Sequence, residues 1–133
     1  MTSTEIEEFL AGDRNAVLAT NGADGIPQLT PVWFVYEDGL LYVSAQTDTV
    51  KVRNLRRDPS IAVCIDGGRG DARYVVLRGQ AALIQPGQPR QEEMRRRIIR
   101  KYHGSAAEAD AYYASVRGSR AVLIVLRPDK IVG

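Results

Sequence analysis

Residues 16 to 45 read as two hairpins in succession, and the second of their β runs contains a proline. Ala16 to Thr20 is a short β run, and Asn21-Gly22-Ala23-Asp24-Gly25 is a strong turn signal. Gln28 to Tyr36 then alternates. Thr30, Val32, Phe34 and Tyr36 fall on one face, and Leu29, Pro31, Trp33 and Val35 on the other. Pro31 has no N–H to give a ladder, so its strand belongs at a sheet edge, a bulge or a barrel rim. Glu37-Asp38-Gly39 turns the chain into Leu40 to Ala45. Such a beginning points to antiparallel β structure.

The rest extends that plan. Ile61 to Ile65, Tyr74 to Ile84 and Arg120 to Leu126 read as further strands, the first two separated by the glycine-rich loop Asp66 to Asp71. Four helical stretches are inserted. Ser3 or Thr4 caps one that runs to about Ala11, and Thr47 to Arg57 is stopped by Asp58-Pro59. Arg90 to Tyr102 is amphipathic through Met94, Ile98, Ile99 and Tyr102, and Ala106 to Val116 follows it. The expectation is a mainly β chain with α insertions: a six-stranded antiparallel barrel, closed or nearly so, with residues 1–133 as one domain.

Several function classes are disfavoured. The formal charge is 18 − 16 = +2, too small to mark a nucleic-acid binder. The arginines from Arg95 to Lys101 have no interleaved aromatics for base stacking, and Glu92 and Glu93 one turn earlier suggest ordinary ion pairs on a solvated face. No apolar run reaches the length of a membrane span, and the N-terminus has no signal-peptide pattern. One cysteine, Cys64, cannot form an internal disulfide, so a reducing, cytoplasmic setting is expected. It reads as a core strand residue. With one histidine, His103, at a helix end, there is no metal-ligand set and no Ser-His-Asp or Cys-His device. The acidic pairs read as solvated charge. If the chain is an enzyme, a cofactor must carry the hard chemistry.

The most informative segment is Ser44 to Pro59. A strand ends in hydroxyl and amide side chains, and a helix opens directly after it with Asp48 or Thr49 as N-cap. Lys51 then falls in the first turn, where the helix dipole disfavours a cation unless an anion is bound between them. Thr47, Thr49 and Asn54 add polar groups nearby. Two readings stand side by side: a phosphate site, or a solvated amphipathic helix with Val52 and Leu55 toward the core.

Three stretches resemble a known family. They are Ala16-Val17-Leu18-Ala19-Thr20 through Gly25-Ile26-Pro27-Gln28-Leu29-Thr30-Pro31-Val32-Trp33-Phe34; Val43-Ser44 through Lys51-Val52-Arg53-Asn54-Leu55-Arg56-Arg57-Asp58-Pro59; and Tyr74-Val75-Val76-Leu77-Arg78-Gly79-Gln80-Ala81. Together they are similar to the flavin/deazaflavin oxidoreductases of the split β-barrel superfamily, relatives of pyridoxamine 5′-phosphate oxidase, above all the branch that uses the deazaflavin coenzyme F420. The resemblance implies an FMN-binding-type split barrel that works as a homodimer with cofactor sites at the interface. It implies that Lys51 contacts the cofactor phosphate, with Thr47, Thr49 and Asn54 at that end. Gln28, Thr30, Pro31 and Val32 would border the ring, Ser44 and Ala45 would lie on the adjoining strand, and Tyr74 would approach from the partner subunit. Some relatives have arginine where this chain has Thr49. The implied activity is F420-dependent reduction of a small organic substrate, with FMN as the alternative cofactor and non-catalytic cofactor binding as a third reading.

Overall fold

A computed structural model describes all 133 residues. The strands are β1 (Ala16–Asn21), β2 (Pro27–Val32), β3 (Val35–Glu37), β4 (Leu40–Gln46), β5 (Ser60–Asp66), β6 (Tyr74–Ile84) and β7 (Ala121–Val132). The helices are α1 (Ser3–Ala11), α2 (Val50–Arg57), α3 (Pro89–Lys101) and α4 (Ala106–Val116). All seven strands join one antiparallel sheet in the order β2-β1-β5-β6-β7-β4-β3, curled as a split barrel. No helix is long and apolar enough to cross a membrane.

Seven strands replace the expected six because Gln28 to Tyr36 is divided. β2 pairs with β1 and β3 pairs with β4, so the two pieces lie on opposite edges of the sheet. Trp33 and Phe34 make the crossing between them. In β2 the row Gln28, Thr30, Val32 lies opposite the buried Thr20, Leu18 and Ala16. Phe34 and Val35 are then both buried, which breaks the two-residue alternation. Pro31 sits on an edge strand, where its missing N–H leaves no ladder bond unmade.

β6 and β7 are the long central strands, and their register shifts between Arg78 and Gly79. A Cβ at position 79 would stand 2.7 Å from the Arg127 carbonyl, so glycine allows the two backbones to close at this irregularity. The inward faces bury Leu18, Val43, Val63, Leu77 and Ile124, and Phe9, Leu10, Val52 and Leu55 of α1 and α2 close on them. A smaller cluster of Val35, Tyr42, Met94, Ile98 and Leu123 fixes α3. Cys64 is exposed, contrary to its reading as a core residue. In β5 the inward positions are Ile61, Val63 and Ile65, and strand alternation turns Cys64 outward.

Helix ends differ modestly from expectation. α1 is capped by Thr2, in a capping box with Glu5. α2 starts at Val50 with Thr49 as N-cap, and α4 has the expected bounds behind the cap Ser105.

Candidate functional site

The two edges of the sheet do not meet. β3 covers only Leu40–Tyr42 of β4, so the Val43–Gln46 end of β4 is laddered on the β7 side alone. A cavity of about 720 Å³ opens at this seam, within the range of about 300–1,000 Å³ usual for small-molecule sites. β2 and the crossing supply Pro31, Val32 and Trp33, and β4 supplies Ser44, Ala45 and Gln46. α2 brings Lys51 and its cap Thr49, while α3 and α4 close the far side with Arg95, Ile98, Ile99, Tyr112 and Val116. No aspartate, glutamate, histidine or cysteine lines it.

Six of the residues singled out from the sequence therefore come together: Pro31, Val32, Ser44, Ala45, Thr49 and Lys51. Gln28, Thr30, Thr47, Asn54 and Tyr74 lie outside the lining. Gln28 is in the inward row of β2 opposite Thr20, and the Thr30 hydroxyl is buried there without a partner. Asn54 is buried, donating to the Thr20 hydroxyl at 3.1 Å and accepting from Arg57 at 3.2 Å. Thr47 gives its N–H to the Arg120 carbonyl as the chain leaves β4. Tyr74 is exposed at the start of β6, opposite Asp66.

The α2 end of the cavity has the character of an anion site. Thr49 donates its hydroxyl to the Gln46 carbonyl at 2.8 Å, so no side chain caps the first N–H groups of α2. Lys51 in that first turn makes no ion pair, and burial pushes its pKa down. An uncapped N-terminus beside a half-buried, unpaired ammonium favours a bound anion. The other cations of α2 are not at this point. Arg53 donates to the Asp48 carbonyl, Arg57 to the Asn21 carbonyl, and Arg56 is exposed.

Sequence reasoning missed the α3–α4 wall. Arg95, read as part of a solvated face, is 6% exposed and lines the cavity. The signal was present in the spacing: Gln91, Met94, Arg95, Ile98 and Ile99 form one buried stripe at i, i+3, i+4, i+7, i+8. The expected pairing of Glu92 and Glu93 with the following arginines is absent. Glu92 accepts from the Tyr113 hydroxyl, and the ion pair made by α3 is Arg97 with Glu37. At the end of α3, Lys101 donates to the Leu10 and Phe34 carbonyls at 3.1 and 3.0 Å, and burial lowers its pKa to about 8. Tyr102 donates to the Arg14 carbonyl at 2.9 Å, and burial raises its pKa to about 12. Trp33 stacks on Tyr102 at 5.2 Å and meets Tyr112 at 5.4 Å, so an aromatic group stands at the cavity wall.

The sequence profile of the pyridoxamine 5′-phosphate oxidase family matches residues 2–132. The chain belongs to this family. It is thus a member of the split-barrel superfamily of flavin-binding oxidoreductases. Solved structures share the fold. A conserved hypothetical protein of Mycobacterium tuberculosis is 24% identical, with 98% of this chain and 82% of that one covered at a TM-score of 0.81. An F420 reductase is 24% identical over 95% of this chain and 94% of its own, with a TM-score of 0.73. An FAD-binding protein of Mesorhizobium loti is 20% identical over 98% and 90%, with a TM-score of 0.69. The family relationship suggests a flavin-type cofactor for this chain.

Proposed function

We propose that the seam cavity binds coenzyme F420 and that the chain is an F420-dependent reductase of a small organic substrate. The observation that carries this reading is the charge at the α2 end, where Lys51 is the one lining cation and its neighbour Thr49 is uncharged. The F420 phosphate is a diester with a single negative charge, which one ammonium and the free N–H groups of α2 balance. The FMN phosphate is a monoester with about −1.5 to −2 charge near neutral pH, and one lysine leaves part of it unmet. Away from α2, the lining holds no acid, which suits a ligand with further negative charge.

When bound, F420 supplies the two-electron hydride chemistry that no lining side chain offers. The chain's own groups hold and shield it. Lys51 and the first turn of α2 grip the phosphate, while Pro31, Val32, Ser44 and Ala45 border the slot for a flat ring. Ile98, Ile99 and Val116 exclude water from the space where a substrate shares the cavity.

The same reading includes a homodimer. Pro31, Val17, Cys64, Val76 and Val132 stand in one row across the outer face of β2, β1, β5, β6 and β7. Val17, Cys64 and Val132 are exposed in it, with Leu29 beside them. A second copy covering this apolar row is the natural occupant, and it brings the exposed Tyr74 into the contact region. Sedimentation at micromolar concentration should give a dimer. A stable monomer would remove this part of the proposal.

The deciding experiment for the cofactor is a side-by-side titration with F420 and FMN at low salt. F420 should bind several-fold more tightly. Equal affinity, or a preference for FMN, would replace this reading with an FMN-dependent one; failure of both to bind would end it.

A further inference from the structure

We infer that Arg95 is a second anion-binding point of the seam cavity, taking the carboxylate of a planar, conjugated carboxylic acid laid against Trp33 and Tyr112. The inference rests on the cofactor reading above in one respect, that it names this acid as the substrate.

A guanidinium buried to this degree normally faces a carboxylate. Arg95 has none: the ion pairs of the chain are Arg14 and Arg73 with Asp71 and Arg97 with Glu37. Glu92, one turn earlier on α3, gives its carboxylate to the Tyr113 hydroxyl instead. What Arg95 does contact is the end of α4. Nη1 donates to the Ser119 carbonyl at 3.2 Å, and Nη2 donates to the Val116 carbonyl at 2.6 Å and the Ser119 hydroxyl at 3.0 Å. These bonds use three of its five N–H donors and aim the group, and the helix end supplies about half a negative charge. The Tyr113 ring, 6.0 Å from Cζ, is its one further partner, and no carboxylate meets the remaining charge. Thr30 Oγ1 is the buried side-chain polar atom without a partner, so the Nε of Arg95, which donates to no protein group, is not sealed inside the protein. It belongs to a residue that lines the cavity.

The neighbouring walls specify the rest of the ligand. Trp33 and Tyr112 are each more than a third exposed although they lie within an aromatic cluster, so π faces are left uncovered in the lining. Stacking on Tyr102 fixes the Trp33 ring, which reduces the ordering cost of binding a flat ligand. Ile98 and Ile99 give the apolar surface between charge and ring. Lys51, on α2, remains for the cofactor phosphate, so each anion has its own cation.

The test uses 4-nitrobenzoate and its neutral analogue 4-nitrobenzamide as probes, followed by calorimetry and by quenching of Trp33, the one tryptophan of the chain. The native protein should bind the acid at least about tenfold more tightly than the amide, as for a charge-assisted contact. Arg95→Gln should abolish that preference while leaving F420 affinity within about twofold. Arg95→Lys, which keeps the charge but loses the forked tie to α4, should retain much of it; loss equal to that in Arg95→Gln would make Arg95 a structural tie and overturn the inference. The acid should still bind when F420 is saturating, whereas competition would assign Arg95 to the cofactor tail and overturn it too. Equal binding of acid and amide by the native protein refutes the inference even if neither variant folds. If F420 fails to bind but the native protein prefers the acid and Arg95→Gln does not, the cofactor reading falls and the carboxylate site stands.

Discussion

α2 and α3 are both arginine-rich helices, yet they present their charge in opposite ways. On α2 the buried positions are Val52, Asn54 and Leu55, and Lys51 stands at the margin of that stripe, where it is half-buried at the cavity. Arg53, Arg56 and Arg57 remain exposed. On α3 the stripe itself contains a cation: Arg95 sits between Met94 and Ile98 and is carried inside with them. Charge density does not distinguish the two helices. The apolar spacing does, because packing the stripe against the sheet dictates which side chains leave water.

The sharpest way to break the comparison is to remove that packing. Ile98→Ala deletes a side chain that is 2% exposed among Val35, Tyr42, Met94 and Leu123, and should cost about 2–5 kcal/mol. Arg56→Ala, at an exposed position of α2, should shift stability by no more than about 0.5 kcal/mol. Urea midpoints compare the pair, and similar losses would mean that α2 is held as firmly by its exposed face as α3 by its buried one.

Next in size is the effect on ligand binding. Lys51→Ala should weaken F420 by roughly ten- to a hundredfold, about 1.5–3 kcal/mol, without lowering the urea midpoint. A half-buried, unpaired ammonium contributes little to folding, so its loss is felt only when the anion is present. Unchanged affinity for both F420 and FMN would place the phosphate elsewhere.

Asn54 should show the reverse pattern. Its amide satisfies Thr20 and receives Arg57, so Asn54→Ala leaves the buried Thr20 hydroxyl with little to bond and should cost about 1–3 kcal/mol. Cofactor affinity should not change, because the side chain is outside the cavity lining. A loss of affinity with unaltered stability would return Asn54 to the phosphate end.

These contrasts mark what the chain reveals in one dimension. The hairpins around Gly22 and Gly39, the edge position of Pro31 and the bounds of α4 follow from turn chemistry, proline geometry and capping, all of which are local. The α2 end of the candidate cavity was legible for the same reason, since strand end, cap and Lys51 are contiguous. What was not legible depends on distant contacts. The crossing at Trp33–Phe34 is decided by where β3 finds its partner, and the outward turn of Cys64 by which face of β5 meets the core. Arg95 is the instructive case: its stripe was readable, but an arginine in it looked like solvated surface until α4 placed carbonyls over it.

Lys101 separates the helices by pH, and the effect should be the smallest because this lysine keeps part of its hydration. Burial among the Leu10 and Phe34 carbonyls and the Phe34 ring lowers its pKa to about 8 in the folded chain, from an ordinary value of 10.5. Below pH 8 the folded and unfolded states both hold the proton, and the cost of burying the charge is borne in full. Between about pH 8 and 10.5 the unfolded chain holds a proton that the folded chain has released, so stability should rise with pH. Tyr102 acts in the other direction and later. Its pKa is raised from 10.0 to about 12, so above pH 10 the unfolded chain loses a proton that the folded chain retains, and stability should fall. The contribution of this pair should therefore peak near pH 10. Urea midpoints at pH 7.5, 9.5 and 11 trace it, and Lys101→Met should flatten the rise between the first two. A midpoint that falls from pH 7.5 to 9.5 in the native chain but not in Lys101→Met would reverse the assignment, making the charged ammonium, through its carbonyl and ring contacts, a net stabiliser of the α3 end.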